Sequence, residues 1–134
     1  MMLSSFQDFL HAAREQAEPQ RLLFTFAKVE LPDAATTDQR ERFDAKQGGT
    51  LSPSLCVDKA VEEVESFQKL VLESEQTGLT WDIVFVASLP GRAGVAPSAD
   101  EAVQPLRFMV NAINNGRVAD FAAFDRAGNV LQFC

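Results

Sequence analysis

Apolar positions recur at two different periods along this chain, and the switches between them divide it into elements. Phe6, Phe9, Leu10, Ala13 and Ala17 share one face at helical spacing. Ser4 or Ser5 stands where a cap belongs, with Gln7 or Asp8 as its capping-box partner, and Pro19 closes the segment. From Arg21 to Val29 the pattern changes. Leu22, Leu23, Phe24, Phe26, Ala27 and Val29 make both alternating faces mostly apolar, which predicts a strand interior to a sheet and covered on both sides. Leu31 to Gly49 is polar instead. Pro32 and Asp33 break the strand, and Phe43 is nearly the only large apolar residue among Asp38, Arg40, Glu41, Arg42, Asp44 and Lys46. Thr36 with Gln39 would cap a short solvated helix there, ended by Gly48–Gly49.

The second half repeats the alternation. Thr50 to Val57 reads as a short strand that lies at an edge or starts after Pro53, which has no N–H to give to a ladder. Asp58 is positioned to cap a helix carrying Val61, Val64, Phe67, Leu70, Val71 and Leu72 on one face, with Glu62, Glu63, Glu65, Lys69 and Glu73 opposite and Gly78 as its stop. Trp81 to Leu89 is the strongest strand, since Ile83 to Ala87 is continuously apolar and mostly β-prone. Pro90 to Pro97 is a loop. Ser98 and Glu101 form a capping box for a helix with Ala102, Leu106, Met109, Val110 and Ile113 on its apolar face. Pro105 is expected to kink or split it, and Asn115–Gly116 ends it. Val118–Phe124 and Val130–Cys134 read as a closing β-hairpin about an Asp125–Asn129 turn, where Gly128 can supply a positive φ. The order αβαβαβαββ predicts a single α/β domain over residues 1–134. Its expected architecture is a mixed sheet of about five strands with about four helices.

Length, composition and charge narrow the function. At 134 residues, 46% apolar and 23% charged, the chain is an ordinary one-domain globular sequence. The net charge of −7 repels a phosphate polymer, so no nucleic-acid partner is expected. No apolar run approaches the roughly 20 residues of a membrane span, and Met1 to Leu10 has neither a basic region nor an apolar run of the kind that signals export. Cys56 and Cys134 are too few for a disulfide framework. A cytoplasmic location is the expectation, with no cofactor implied.

Candidate chemistry is sparse. Gly91, Arg92 and Gly94, with Ser98 at the next helix start, lie between a buried strand and a capped helix, where α/β proteins hold anions on free backbone N–H groups. The loop lacks the Lys-Ser/Thr end of a phosphate-binding P-loop and the third glycine of a dinucleotide fingerprint. A turn built from Gly and Pro explains the same residues. Cys56, at the expected end of a strand and just before a helix, is a candidate nucleophile or a small buried apolar residue. His11 is the only histidine, off the apolar face of its helix, so no two-histidine metal site is available within one chain. Phe133 lies on the terminal strand, and an apolar edge there invites a second copy, which makes a homodimer the expectation.

Four segments, Pro19–Phe24, Leu55–Lys59, Trp81–Val86 and Phe121–Asp125, resemble those of a family of small uncharacterised bacterial proteins. Members are sometimes labelled ribonucleotide reductase subunit alpha by automated transfer. Thiyl-radical chemistry needs a radical cysteine and a separate reducing pair, more thiols than the two present here. The resemblance therefore implies no catalytic residues. The reading that follows is a non-catalytic interaction or accessory module; the alternative is a small anionic-ligand binder or enzyme using the Gly91–Ser98 loop, with Cys56 as its candidate nucleophile.

Overall fold

The computed structural model describes residues 5–30 and 50–132. The elements in order are α1 (Phe6–Arg14), β1 (Gln20–Glu30), β2 (Thr50–Ala60), a 3₁₀ turn (Val61–Glu63), α2 (Phe67–Glu75), β3 (Ile83–Pro90), α3 (Ala99–Asn114), β4 (Ala122–Phe124) and β5 (Val130–Leu131). The polar segment Leu31–Gly49, where a short helix was expected, lies outside the described residues.

The strands form one sheet in the order β2-β1-β3-β4-β5, and every neighbouring pair is antiparallel. This corrects the expected mixed sheet. An intervening helix shows only that the chain leaves the sheet plane; it does not fix the direction in which the chain returns. Here β2 and β3 run the same way but flank β1 on opposite sides, so neither makes a parallel pair. The count of about four helices is corrected as well: three α-helices occur among the described residues.

Burial follows the strand alternation. Leu22, Phe24 and Phe26 of β1 join Val84, Val86 and Phe124 on one face, beneath Phe6 and Leu10 of α1 and Leu70 of α2. Leu23, Ala27, Ile83, Phe85 and Ala123 point the other way, toward Ala102, Met109 and Ile113 of α3. The sheet is thus the middle layer of three. The Leu22–Ala27 run is buried throughout, as expected of a strand covered twice, and so is Ile83–Val86 at the sheet's centre. Phe6 anchors the first core, its ring 5.0 Å from Phe67 and 5.4 Å from Phe124.

Local signals set the helix ends. Ser5 starts α1 by accepting from the Asp8 amide at 3.3 Å; Ala17 lies beyond the helix and is exposed. The apolar run Val61–Leu72 is not one helix. After the 3₁₀ turn the chain is extended at Val64, and Ser66 begins α2 by accepting from the Lys69 amide at 3.1 Å. Val61 and Val64 still reach the core, so the apolar spacing survives a break in the backbone pattern. Helix α3 carries Pro105 inside it without splitting. Proline removes one intrahelical hydrogen bond, and the carbonyl left over is that of exposed Glu101, which water can reach. Trp81 precedes β3 rather than opening it; its indole N–H donates to Ser74 Oγ at 2.9 Å and the Arg126 guanidinium stacks 4.5 Å above its ring.

The closing hairpin is present but shorter than its apolar pattern, with Phe124 opposite Val130. Asp125 Oδ1 accepts from the Ala127 and Asn129 amides at 2.9 and 3.0 Å. Gly128 takes a φ of 85° there, and its carbonyl accepts the Phe6 amide at 2.8 Å, tying the turn to the start of α1. Phe133 and Cys134 lie outside the described residues. No described helix is long and apolar enough to cross a membrane.

Candidate functional site

The Gly91–Ser98 loop is folded onto its own hydrogen bonds. Arg92 and Val95 exchange amide and carbonyl, both at 2.9 Å, across a turn whose central residues Ala93 and Gly94 have φ of 52° and 80°. This is the tight reversal that favours positive φ at both central positions. Gly91 donates to the Pro19 carbonyl at 2.8 Å, and a Cβ there would stand 2.2 Å from the Val95 carbonyl oxygen, so the close approach requires glycine. The Gly94 amide donates to Glu18 Oε2 at 2.8 Å. Ser98 accepts from the Glu101 amide at 3.2 Å and donates its own to Glu101 Oε1 at 3.1 Å, which completes the expected capping box. The amides of Gly91, Arg92, Gly94 and Val95 all have partners within the chain, and the Glu18 carboxylate stands where an external anion would. Arg92 itself is exposed.

Cys56 is in the middle of β2 and not beside a helix start. The strand runs on to Ala60, and Cys56 shares a rung with Thr25 of β1. Arg92 lies beyond the Gln20–Pro90 rung at the end of the β1–β3 ladder. With strands rising about 3.4 Å per residue, this separates the two candidates by roughly 17 Å along the sheet. They do not share a site. The thiol is exposed, whereas Thr25 is fully buried and its hydroxyl has no hydrogen-bond partner. Asp58 is a strand residue on the rung of Leu23, and not the expected helix cap. Its Oδ2 accepts from Arg21 Nη2 and Nε at 2.6 and 2.7 Å. Lys59, on the opposite face, pairs with Glu73 of α2 at 2.9 Å.

These residues sit on a strand whose outer edge has no partner strand among the described residues, an edge that the sequence pattern only hinted at through Pro53. In an antiparallel ladder the bonded rungs alternate, and a residue's N–H and C=O point to the same side. The Gly91-to-Pro19 bond continues the β1–β3 register one rung past Gln20–Pro90. It follows that Arg21, Leu23 and Thr25 turn their backbone groups toward β3, while Leu22, Phe24 and Phe26 turn theirs toward β2. Their partners Lys59, Val57 and Leu55 are the bonded residues of β2. Cys56, Asp58 and Ala60 therefore face outward. The Ala60 amide confirms this: it donates to Glu63 Oε1 at 2.8 Å, away from the ladder.

That edge is covered at one end and interrupted toward the other, where β2 runs on past a bulge to Thr50. Glu63 covers the Ala60 amide. Toward the other end Pro53 has no amide, and the register skips Ser54 in the bulge between the Phe26–Leu55 and Ala27–Pro53 pairs. Between the covered Ala60 amide and the bulge, Cys56 and Asp58 each turn an amide and a carbonyl away from β1. Among the described residues, β2 pairs with β1 alone, and no three His, Cys, Asp or Glu side chains gather to hold a metal ion. His11 is exposed and 3.1 Å from Glu15.

Comparison with protein-family models, curated proteins and solved structures finds no match to this chain. The resemblance carried by the four sequence segments rests on those segments alone.

Proposed function

We propose that the chain is a non-catalytic interaction module that makes its contact by strand pairing on the outer edge of β2. The observation that carries this reading is the pair of outward amides and carbonyls at Cys56 and Asp58, unpaired among the described residues between the covered Ala60 amide and the Ser54–Pro53 bulge. Edge strands are ordinarily blunted over their whole length by bulges, prolines or covering groups. Here the blunting devices bracket a short opening, which suits a partner strand of a few residues joined through its main chain.

A photo-reactive phenylalanine analogue at position 56, which is exposed, tests it, with exposed Gln68 on α2 as the control position. Light-dependent protein adducts are expected at position 56 and not at position 68 in cells producing the chain. Equal or absent adducts at the two positions overturn the reading. The alternative, an anion held by Gly91, Arg92, Gly94 and Ser98, has less support because those amides already have partners. A thermal-shift screen with nucleotides and phosphorylated metabolites checks it: no stabilisation is expected, and a shift abolished by Arg92→Ala would restore the anion reading.

A further inference from the structure

The partner chemistry can be read from the edge itself. We infer that β2 pairs with β2 of a second copy of this chain, antiparallel, about a two-fold axis passing beside Val57. The inference rests on the reading of β2 as the contact strand.

Two identical edge strands that continue one sheet must place residues of the same face opposite each other, so only a few registers exist. A register centred on Asp58 sets two carboxylates directly opposite, and one centred on Lys59 sets two ammonium groups opposite; like charges on one rung are unfavourable. A register centred on Cys56 pairs Asp58 with Ser54, the bulged residue at which the β1–β2 register shifts. The register centred on Val57 avoids each fault. It sets Cys56 opposite the partner's Asp58 and Asp58 opposite the partner's Cys56. The outward amides and carbonyls of both residues are then satisfied on both chains, and neither the covered Ala60 amide nor the bulge is needed.

The side chains fit the same register. Val57 and Leu55 belong to the face covered by α1 and α2 and pack against its core. Val57 meets the partner's Val57, and Leu55 meets the aliphatic stem of the partner's Lys59, whose charge is already paired with Glu73. On the other face the Cys56 thiol lies opposite a carboxylate whose charge is balanced by Arg21. The result is a two-fold assembly whose central layer is one continuous sheet.

Engineered cysteines read the register directly. Because Val57 is bonded to β1, the Val57 rung across the axis is a non-bonded one, with Cα atoms about 4.5 Å apart, within disulfide range. In a chain carrying Cys56→Ser and Cys134→Ser, Val57→Cys is expected to give a disulfide-linked dimer under mild oxidation. Leu55→Cys and Lys59→Cys, each several rungs from its own copy, are not. Light scattering on the native chain is expected to give twice the chain mass, and the single substitution Val57→Lys to return it to the chain mass with an unchanged circular dichroism spectrum. A native chain that stays at its own mass, or cross-linking at positions 55 or 59 in place of 57, overturns the inference. Monomer mass together with adducts from position 56 to a different protein overturns the self-pairing while leaving β2 as the contact strand.

Discussion

Thr25 is a hydroxyl placed where the fold has use only for a methyl group. It is fully buried between β2 and β3, and its Oγ1 has no partner. An unpaired buried hydroxyl costs about 1–3 kcal/mol, and replacing it with an apolar group of the same shape removes that cost. Thr25→Val is therefore expected to raise the urea midpoint at unchanged slope; a lower midpoint would show that the hydroxyl is being used. At this scale the sequence was most legible where a residue's partner is a near neighbour. Ser5 and Ser98 cap as their local patterns require, because the groups they bond lie within one turn. Asp58 was misread for the same reason. It also precedes an apolar helical spacing, but its partner Arg21 lies across the sheet, and no local rule reports that.

Elements are legible in kind and less so in extent and direction. The two buried strands stand out because covering on both faces leaves a continuous apolar run. The antiparallel direction of every pair does not, since strand direction is a property of the connections and not of the residues within a strand. The break between the 3₁₀ turn and α2 was hidden because Val61 and Val64 hold helical spacing through it. Ser66 is what starts the helix anew, and Ser66→Ala is expected to cost about 1 kcal/mol in thermal unfolding, the usual worth of such a cap. Pro105 offers the opposite sign. An interior proline is up to about 3 kcal/mol less favourable than alanine, less a few tenths to 1 kcal/mol for the stiffness it lends the unfolded chain. Pro105→Ala is expected to raise the melting temperature, and a fall would mean that the proline ring contributes more than the hydrogen bond it removes.

At the scale of the molecule, the expected association and the proposed one differ in place. An apolar terminal strand drew attention to Phe133, which lies outside the described residues, whereas the open main-chain groups are at the opposite end of the strand order, on β2. Side-chain pattern could suggest an edge through Pro53, but which amides face outward depends on register, which only the assembled sheet supplies. Each copy carries a net charge of −7, so two copies repel over distances that salt screens. Association through β2 is accordingly expected to tighten as ionic strength rises, measured by sedimentation equilibrium. Weakening with salt would show that attraction between opposite charges on the two copies outweighs their net repulsion.

The first strand of the chain is flanked in the finished sheet by β2 on one side and β3 on the other, and this has a consequence for synthesis. On the ribosome, Leu22 to Ala27 emerges early, yet its second neighbour, Ile83 to Pro90, is made only after the whole of α2. Until then a strand rich in Leu and Phe waits with one flank bare, the kind of segment that invites clumping between nascent chains. Host holding factors that bind extended apolar segments should therefore engage this stretch, and release it once Ile83 to Val86 has docked.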